Sequence, residues 1–323
     1  MEKVIAIAKE IKKGFKPFVK MIFYNTFCKG WIELFGSHDS RKMKYRISVC
    51  LIFKNEAPFL KEWLDYHLAI GVDHFYLYNN NSDDDFKDVI DSYINNGVVT
   101  LMDWPYQQAQ FKCYEHCYKT YGGESNWISF LDADEFICLR NEVDINQWIS
   151  AFDKYPAIII PFLMFGTSGE IKHDYSRMVI EQYTQCWNHF FHLGKCLINT
   201  RYQISDYSLW HLHHHTYMRY TFSFFTLTVP AVNQFKKICV VGRTWGKTML
   251  DPDKATIQIN HYYTKALEIY DRKANGSDVL FAQNLKSDYK KFYMCENGCV
   301  TRDYTILRMI TKMKIKQGIL KKL

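Results

Sequence analysis

The chain has 323 residues, of which 48% are hydrophobic and 23% are charged, a balance typical of a globular protein that buries a large core. Its 41 Lys and Arg exceed its 34 Asp and Glu only modestly, so we do not predict nucleic acid binding. The ten Cys lack the dense spacing of a disulfide-stapled domain, which indicates reduced thiols. Without a spanning apolar run or a signal pattern, we expect a cytoplasmic protein.

Strands and helices alternate along the first half of the chain. Apolar runs predict strands at 46–53, 74–78 and 98–102, and helical patterns follow them, to about residue 70 with Pro58 in the first turn, at 86–96 and at 108–121. Short connections between alternating elements predict a largely parallel, doubly wound sheet flanked by helices.

A fourth strand, the apolar run 127–131, ends in Asp132 and Asp134. Ligands bind at the carboxyl ends of parallel strands, and an Asp-x-Asp pair offers hard oxygens to Mg²⁺ or Mn²⁺. The alternative is a turn that only solvates its acids. Polar residues after two earlier strands, Asn55 and Glu56 and then Asn79 and Asp83, would face the same crevice.

Five motifs stand out along the chain: Lys54-Asn-Glu with Trp63-Leu-x-Tyr-His67, the run 71–83 (GVDHFYLYNNNSD), Phe130-Leu-Asp-Ala-Asp-Glu-Phe136, Phe165-Gly-Thr-Ser-Gly169 and Asn260-His-Tyr-x-Thr-Lys265. Together they resemble the motifs of glycosyltransferase family 92 and the related family 2-like proteins. They occur in the family's order between about residues 47 and 273. The resemblance implies a GT-A, Rossmann-like α/β fold and a glycosyltransferase.

The resemblance also implies a metal-assisted transfer. Asp132 would lie towards the ribose and the metal, Asp134 and His261 would bind the metal, and Lys265 would meet the diphosphate on the same face as His261 if that segment is helical. Mn²⁺ or Mg²⁺ is the expected cofactor. Without the motif, a hydrogen-bonded core residue would be the favoured explanation of His261.

Nucleotide recognition is assigned to polar residues in the early loops, Asn55, Glu56, Asn80 and Asp83, which also suit ordinary turn capping. The catalytic base of an inverting transfer should be a carboxylate near the acceptor. Glu170 and Asp174 follow the strand 158–164 and are the two candidates, with Asp206 next.

A histidine cluster occupies residues 211–215. On a strand only His211, His213 and His215 would share one face, and the chain has no Cys-x-x-Cys pair. We therefore expect a place at the mouth of the crevice, where the cluster would bind acceptor or diphosphate, rather than a structural zinc site.

We expect a basic amphipathic segment at 1–44, a catalytic domain at 45–275 with a nucleotide-sugar half (45–140) and an acceptor half (141–275), and a helical basic extension at 276–323. Apolar stripes in both end segments predict peripheral contact with the inner face of a membrane. The alternative is packing on the core or on another subunit. The stripe residues are Val4, Ile7, Ala8, Ile11, Phe15, Phe18, Ile22 and Phe23 at one end and Ile306, Met309, Ile310 and Met313 at the other.

The favoured function is hexose transfer from a nucleotide sugar, UDP-galactose by family analogy and with inversion, to a lipid-linked or surface glycan acceptor such as a lipopolysaccharide or capsule precursor. A nucleotidyltransferase is an alternative, but the chain lacks a Gly-rich phosphate loop. A non-catalytic sugar-binding module on the same fold is the other alternative.

Overall fold

The computed structural model describes residues 19–107, 109–205, 217–222, 225–238, 252–275, 289–316 and 318. Its thirteen strands are β1 (Tyr45–Phe53), β2 (His74–Asn79), β3 (Val99–Asp103), β4 (Ser125–Phe130), β5 (Glu135–Leu139), β6 (Ala157–Met164), β7 (Gln185–Trp187), β8 (Gly194–Asn199), β9 (Gln203–Ile204), β10 (Tyr217–Phe222), β11 (Phe225–Pro230), β12 (Ile257–His261) and β13 (Cys299–Arg302).

The α-helices of these residues flank the sheets. They are α1 (Lys29–Phe35), α2 (Ala57–Ile70), α3 (Phe86–Asn95), α4 (Gln110–Tyr121), α5 (Ile145–Ser150), α6 (Val179–Gln182), α7 (Leu267–Asn275), α8 (Tyr289–Gly298) and α9 (Arg308–Lys316). Short 3₁₀ turns occupy Gly122–Glu124, Pro252–Lys254 and Thr305–Leu307, and a π-helical turn at Tyr24–Cys28 precedes α1. The strands and helices predicted up to residue 164 are therefore confirmed, with bounds that move by one or two residues.

Eight strands form the central sheet in the order β3-β2-β1-β4-β8-β6-β12-β5. The pairs β3-β2, β2-β1, β1-β4 and β6-β12 are parallel, whereas β8 and the edge strand β5 run against their neighbours. Six strands consequently end on the same side of the sheet. The predicted α/β class, with a mostly parallel sheet flanked by helices, is confirmed.

Local sequence explains how α2 is bounded. Pro58 lies in its first turn, where no intrahelical N–H is needed, and the helix ends at Gly71 with φ 104°. A Cβ atom at Gly71 would approach the Asp144 carboxylate to 2.7 Å, so glycine is required on both counts. The helix packs Trp63 and Tyr66 into the core, and their side chains donate to the backbone oxygens of β5.

Both end segments contain helices where the structure describes them, but these helices present their apolar side chains differently. The stripe formed by Ile306, Met309 and Met313 is buried, and α9 packs against α2. Ile22 and Phe23 of the N-terminal stripe are exposed. For the C-terminal stripe the packing alternative is thus correct and the membrane prediction is wrong. None of the described helices has the length and apolar content needed to cross a membrane.

Candidate active site

The site is built where β4 ends and the chain turns back into β5. Backbone hydrogen bonds fix this turn, since the N–H of Glu135 donates to the carbonyl of Asp132 at 3.1 Å. Strand β12 lies beside β5 in antiparallel register and places His261 directly opposite Glu135. The N–H of Tyr262 donates to the carbonyl of Asp134 at 2.8 Å, which ties the end of β12 to the same turn.

Three side chains at this junction form a candidate metal centre: Asp134, Glu135 and His261. One ligand atom from each lies within 4.8 Å of the others. His261 Nε2 is 3.5 Å from Asp134 Oδ1, and His261 Nδ1 is 4.0 Å from Glu135 Oε1. No other group of three such residues meets these limits within the described ranges.

The donor set fits a divalent cation. Glu135 Oε1 and His261 Nδ1 are both buried, and neither has a hydrogen-bond partner in the part of the chain that the structure describes. Such atoms are costly to bury unless something pairs with them. Two carboxylates and an imidazole are acceptable ligands for Mn²⁺. These three residues are thus the ones that would hold the ion.

Asp132 has different surroundings. Its Oδ1 accepts hydrogen bonds from Gln110 Nε2 (2.8 Å) and Tyr114 Oη (3.1 Å), and its Oδ2 accepts one from Lys195 Nζ (2.9 Å). Protein donors therefore engage both carboxylate oxygens. The three-residue cluster contains Glu135, which the sequence analysis did not assign, and does not contain Asp132, whose role as a metal ligand stays a prediction.

Lys195 contacts both Asp132 and the cluster residue Glu135. Its side chain is fully buried, and its Nζ also lies 3.2 Å from Glu135 Oε2. Burial lowers the pKa of Lys195, but the two carboxylates more than offset this and hold the pKa above its usual value. Burial likewise raises the pKa of Glu135 well above the ordinary range, although Lys195 opposes the shift.

Asp134 faces the opening of the site. Lys273 Nζ donates to its Oδ2 at 2.9 Å. Burial alone would raise the pKa of Asp134, but the positive charge of Lys273 and the neighbouring His261 outweigh burial and hold the pKa well below its usual range. Asp134 is consequently ionised at neutral pH and available to a cation.

A pocket of about 190 Å³ opens beside Asp134 and carries an excess of basic side chains. Four cationic residues line it, Lys54, Lys265, Arg272 and Lys273, against the two acids Glu56 and Asp134. The remaining lining residues are Asn55, Phe59, Tyr262, Tyr263, Thr264, Ile269 and Tyr270. An opening with this charge suits an anionic group such as a diphosphate.

Lys265 reaches this pocket from a loop. Strand β12 ends at His261, so the helical segment that would have put Lys265 on one face with it is not present. Lys265 has φ 49° and is buried, with its Nζ 3.8 Å from the centroid of the Phe59 ring and 3.8 Å from Glu56 Oε2. These contacts aim its ammonium at the pocket from the loop.

The early loops divide between the pocket and the fold. Asn55 and Glu56 line the pocket. Asn55 has φ 55°, and its Oδ1 accepts from the N–H of Asp83. Asp83 itself is exposed and does not line the pocket, and Asn80 donates from Nδ2 to the carbonyls of Trp104 (2.7 Å) and Tyr106 (2.9 Å). Asn80 thus has a structural role in holding the loop that follows β3.

The two candidate bases also differ. Asp174 is exposed and accepts hydrogen bonds from the N–H (2.9 Å) and hydroxyl (2.6 Å) of Ser176, which lower its pKa. Its carboxylate thus closes a local turn. Glu170 is half-buried, its carbonyl accepts from the N–H of Leu267, and its side chain approaches Tyr183. Neither residue lines the pocket beside Asp134.

Glu296 in α8 holds together two loops that meet near the site. Its carboxylate accepts from the N–H and hydroxyl of Thr167, both at 2.8 Å, and from the hydroxyl of Thr264 at 3.1 Å. A Cβ atom at Gly166 would lie 2.6 Å from Glu296 Oε1, so glycine allows this close approach.

Sequence reasoning did not assign several of these residues. Glu135 stood inside a recognised motif and could have been considered as a ligand. Lys195, Gln110, Lys273 and Glu296 carried no local signal, since each acts on residues far away in the chain. Asp206 and the histidines at 211, 213 and 215 lie outside the described residues.

Comparison with known proteins supports the resemblance seen in the motifs. The profile of glycosyltransferase family 92 matches residues 45–278. A family 92 protein of Ricinus communis is 26% identical over 234 residues, which cover 71% of this chain and 37% of that protein. One of Arabidopsis thaliana is 31% identical over 149 residues, covering 44% and 26% respectively. The chain thus matches well under half the length of these curated relatives.

Among solved structures, S. aureus TarS 1-349 is similar with a TM-score of 0.34 and 12% identity, over 48% of this chain and 47% of that one. The same protein in complex with UDP gives a TM-score of 0.30 and 14% identity, over 40% and 38% of the two chains. With a family profile that covers most of its residues and five motifs in the expected order, the chain belongs to glycosyltransferase family 92.

Proposed function

We propose that this chain is a metal-dependent glycosyltransferase that moves a hexose from a UDP-sugar onto a glycan acceptor. The observation that carries the proposal is the position of Asp134, which belongs both to the candidate metal centre and to the wall of the cationic pocket. A diphosphate in this pocket would lie against the metal ligands. Galactose is the favoured sugar, with inversion at its anomeric carbon, by analogy with the family.

The pocket supplies what a departing nucleoside diphosphate requires. Lys54, Lys265 and Arg272 offer positive charge, and the ion held by Asp134, Glu135 and His261 would neutralise further charge on the leaving diphosphate. Asn55 and Glu56 at the rim provide fixed polar groups for the nucleoside.

We assign the role of catalytic base to Glu170. Among the described residues, the Glu170 carboxylate has no turn contact comparable to the two hydrogen bonds that Asp174 receives from Ser176. Glu170 lies in the same loop as Thr167. Glu296 accepts hydrogen bonds from both Thr167 and Thr264, and Thr264 directly precedes the pocket residue Lys265. The acceptor, whose hydroxyl Glu170 would deprotonate, would be a lipid-linked or surface glycan, such as a lipopolysaccharide or capsule precursor. The chain would reach it from the inner face of the membrane.

The test is an assay of purified protein against a panel of nucleotide sugars, with Mn²⁺, Mg²⁺ or EDTA. We expect turnover of a UDP-hexose that EDTA abolishes. Glu170→Gln should lower turnover by about 10²- to 10⁴-fold and leave UDP-sugar binding intact, because it removes only a proton acceptor. Asp174→Asn is the matched control and should keep near wild-type turnover.

Two results would contradict the proposal. Transfer at the full rate in EDTA would show that no divalent ion is needed. Equal activity of Glu170→Gln and wild type would place the base elsewhere in the chain, whatever the donor.

A further inference from the structure

Exposed apolar side chains are concentrated on one helical segment near the N-terminus. Residues 19–35 are helical throughout, with the π-helical turn in the middle. Of the sixteen large apolar side chains exposed in the described residues, six lie in this segment: Val19, Ile22, Phe23, Phe27, Leu34 and Phe35. Leu34 is 78% exposed and Phe35 67%. Such a patch in a folded protein marks a contact surface.

The opposite face of this segment is fixed to the catalytic domain. Cys28 and Ile32 are buried, and the Tyr24 hydroxyl donates to the carbonyl of Thr228. Asn25 exchanges two hydrogen bonds with the backbone of Ile238, at 2.8 and 3.1 Å. These contacts hold the exposed side chains outward, because turning the segment would break all of them.

Aromatic rings run along the outer edge of the segment at a spacing of four residues. The centroids of Phe23 and Phe27 are 5.4 Å apart, those of Phe27 and Trp31 6.1 Å, and those of Trp31 and Phe35 4.6 Å. The Phe23 and Phe27 rings are stacked and the other two pairs are tilted, and together the four rings form a continuous apolar ridge. Trp, Phe and Leu side chains on one face of a surface helix insert at the boundary between lipid and water.

Charge is unevenly distributed along the sequence. Residues 1–44 contain ten Lys and Arg and four Asp and Glu, a net charge of +6, whereas residues 45–275 contain 21 and 26, a net charge of −5. Lys20 and Lys29 belong to the helical segment itself, and Lys20 is exposed. A basic helix with an apolar ridge is complementary to an anionic lipid surface rather than to the acidic catalytic domain.

We propose that the ridge of Phe23, Phe27, Trp31 and Phe35, together with the exposed Leu34 beside it, inserts into the headgroup region of an anionic membrane, with the basic residues of the segment at the phosphates. This surface deepens the peripheral location included in the proposed function and rests on it only for the acceptor. The basic α9 cannot serve in the same way, since Arg308 and Lys312 donate to carbonyls of the catalytic domain.

The proposed surface lies at the end of the sheet away from the pocket. Lys154, just before β6, donates to the carbonyl of Glu33, and Asn126 near the start of β4 donates to Asp39. The pocket lies at the other, carboxyl end of these strands. A six-residue strand is about 20 Å long, so the docked enzyme would hold its pocket well above the lipid headgroups. A distal sugar of a glycan would be within reach there.

The test is sedimentation of the full chain with phosphatidylcholine vesicles that do or do not contain phosphatidylglycerol. We expect binding only to the anionic vesicles, weakened by high salt. The triple variant Phe27→Ser, Leu34→Ser and Phe35→Ser should reduce partitioning by about tenfold or more. The matched control, Tyr293→Ser, Met294→Ser and Val300→Ser, removes three similarly exposed apolar side chains elsewhere and should bind like the wild type.

UDP binding without vesicles and sedimentation velocity accompany this test. The ridge variant should bind UDP normally, so a loss of vesicle binding with UDP binding intact concerns the ridge alone. Failure of the wild type to bind UDP would overturn the proposed function and leave the ridge untouched. The membrane surface is ruled out if the wild type ignores anionic vesicles, if the control loses as much binding, or if the ridge variant only converts a dimer to a monomer.

Discussion

Asp132 and Asp134 are two residues apart, yet they belong to different regions of the site. Asp132 is held by protein donors, since Gln110, Tyr114 and Lys195 engage both of its oxygens, and 29% of its side chain is exposed. Asp134 has only 6% of its side chain exposed, but it lies on the pocket wall and beside His261. The comparison teaches that an Asp-x-Asp pair need not act as a pair: one carboxylate can organise the protein while the other meets the ligand.

The largest expected effect is on metal binding. Asp134→Asn and Glu135→Gln should each weaken Mn²⁺ binding by more than about 100-fold, since even outer-shell partners of a metal contribute 10- to 100-fold. Asp132→Asn should weaken it by about tenfold or less. Isothermal titration of Mn²⁺ in the presence of UDP measures all three.

A double variant sharpens this result. Asp134→Asn with His261→Ala should lose much less affinity than the sum of the single losses, because both residues bind one ion. If Asp132→Asn proved as damaging as Asp134→Asn, the assignment of different roles to the two aspartates would be incorrect.

The lysines that accompany the two aspartates should differ in their effect on stability. Lys195→Met leaves two acids without their buried cation and should lower the free energy of unfolding by about 3–5 kcal/mol. Lys273 is half-exposed, with 51% of its side chain accessible, so Lys273→Met should change it by about 0.5 kcal/mol or less. Urea unfolding without metal measures both free energies. Similar losses in the two variants would contradict the role of Lys195 as a buried cation that stabilises the two acids.

A smaller effect concerns the pH dependence of the free energy of unfolding, to which the buried His67 contributes. His67 is fully buried under β5, and burial lowers its pKa to about 3 from 6.5, although a hydrogen bond to the carbonyl of Trp63 opposes this. The unfolded chain takes up a proton below pH 6.5 while the folded chain does not. Stability is therefore lost as the pH falls, by about 2 kcal/mol between pH 7 and pH 5.

The measurement is urea unfolding of wild type and His67→Gln at both pH values. The variant should lose about 2 kcal/mol less over this interval than the wild type does, whatever its stability at pH 7. Identical pH dependence in the two proteins would mean that His67 titrates normally in the fold.

The sequence was informative where structure depends on local pattern. Apolar runs located strands β1 to β4 and β6, although not β5, and Asp134 and His261 were singled out because both stand in motifs. Lys195 could not be found, because its contact with Asp132 spans 63 residues and depends on the insertion of antiparallel β8 beside β4. The role of Glu135 likewise depends on the register of β12 against β5.

The two apolar stripes show the same limit from another side. The residues around Phe23 and those around Met309 have similar spacing and similar flanking lysines, so one prediction covered both. Only the presence of α2 as a packing partner for α9 separates them. A hydrophobic period specifies that a face will be covered, and it contains no information on what covers it.

Glu296 has a consequence for how this enzyme can be divided or recombined. The family match ends at residue 278, yet the Glu296 carboxylate accepts three hydrogen bonds from Thr167 and Thr264 and so secures their loops. Helix α8, which lies beyond the family match, is therefore a structural part of the fold around the site and not an interchangeable appendage. Chimaeras that exchange this segment between relatives should keep Gly166 and Glu296 together. The Glu296 carboxylate occupies space that a side chain at position 166 would need, so replacing either residue alone would disturb the contact.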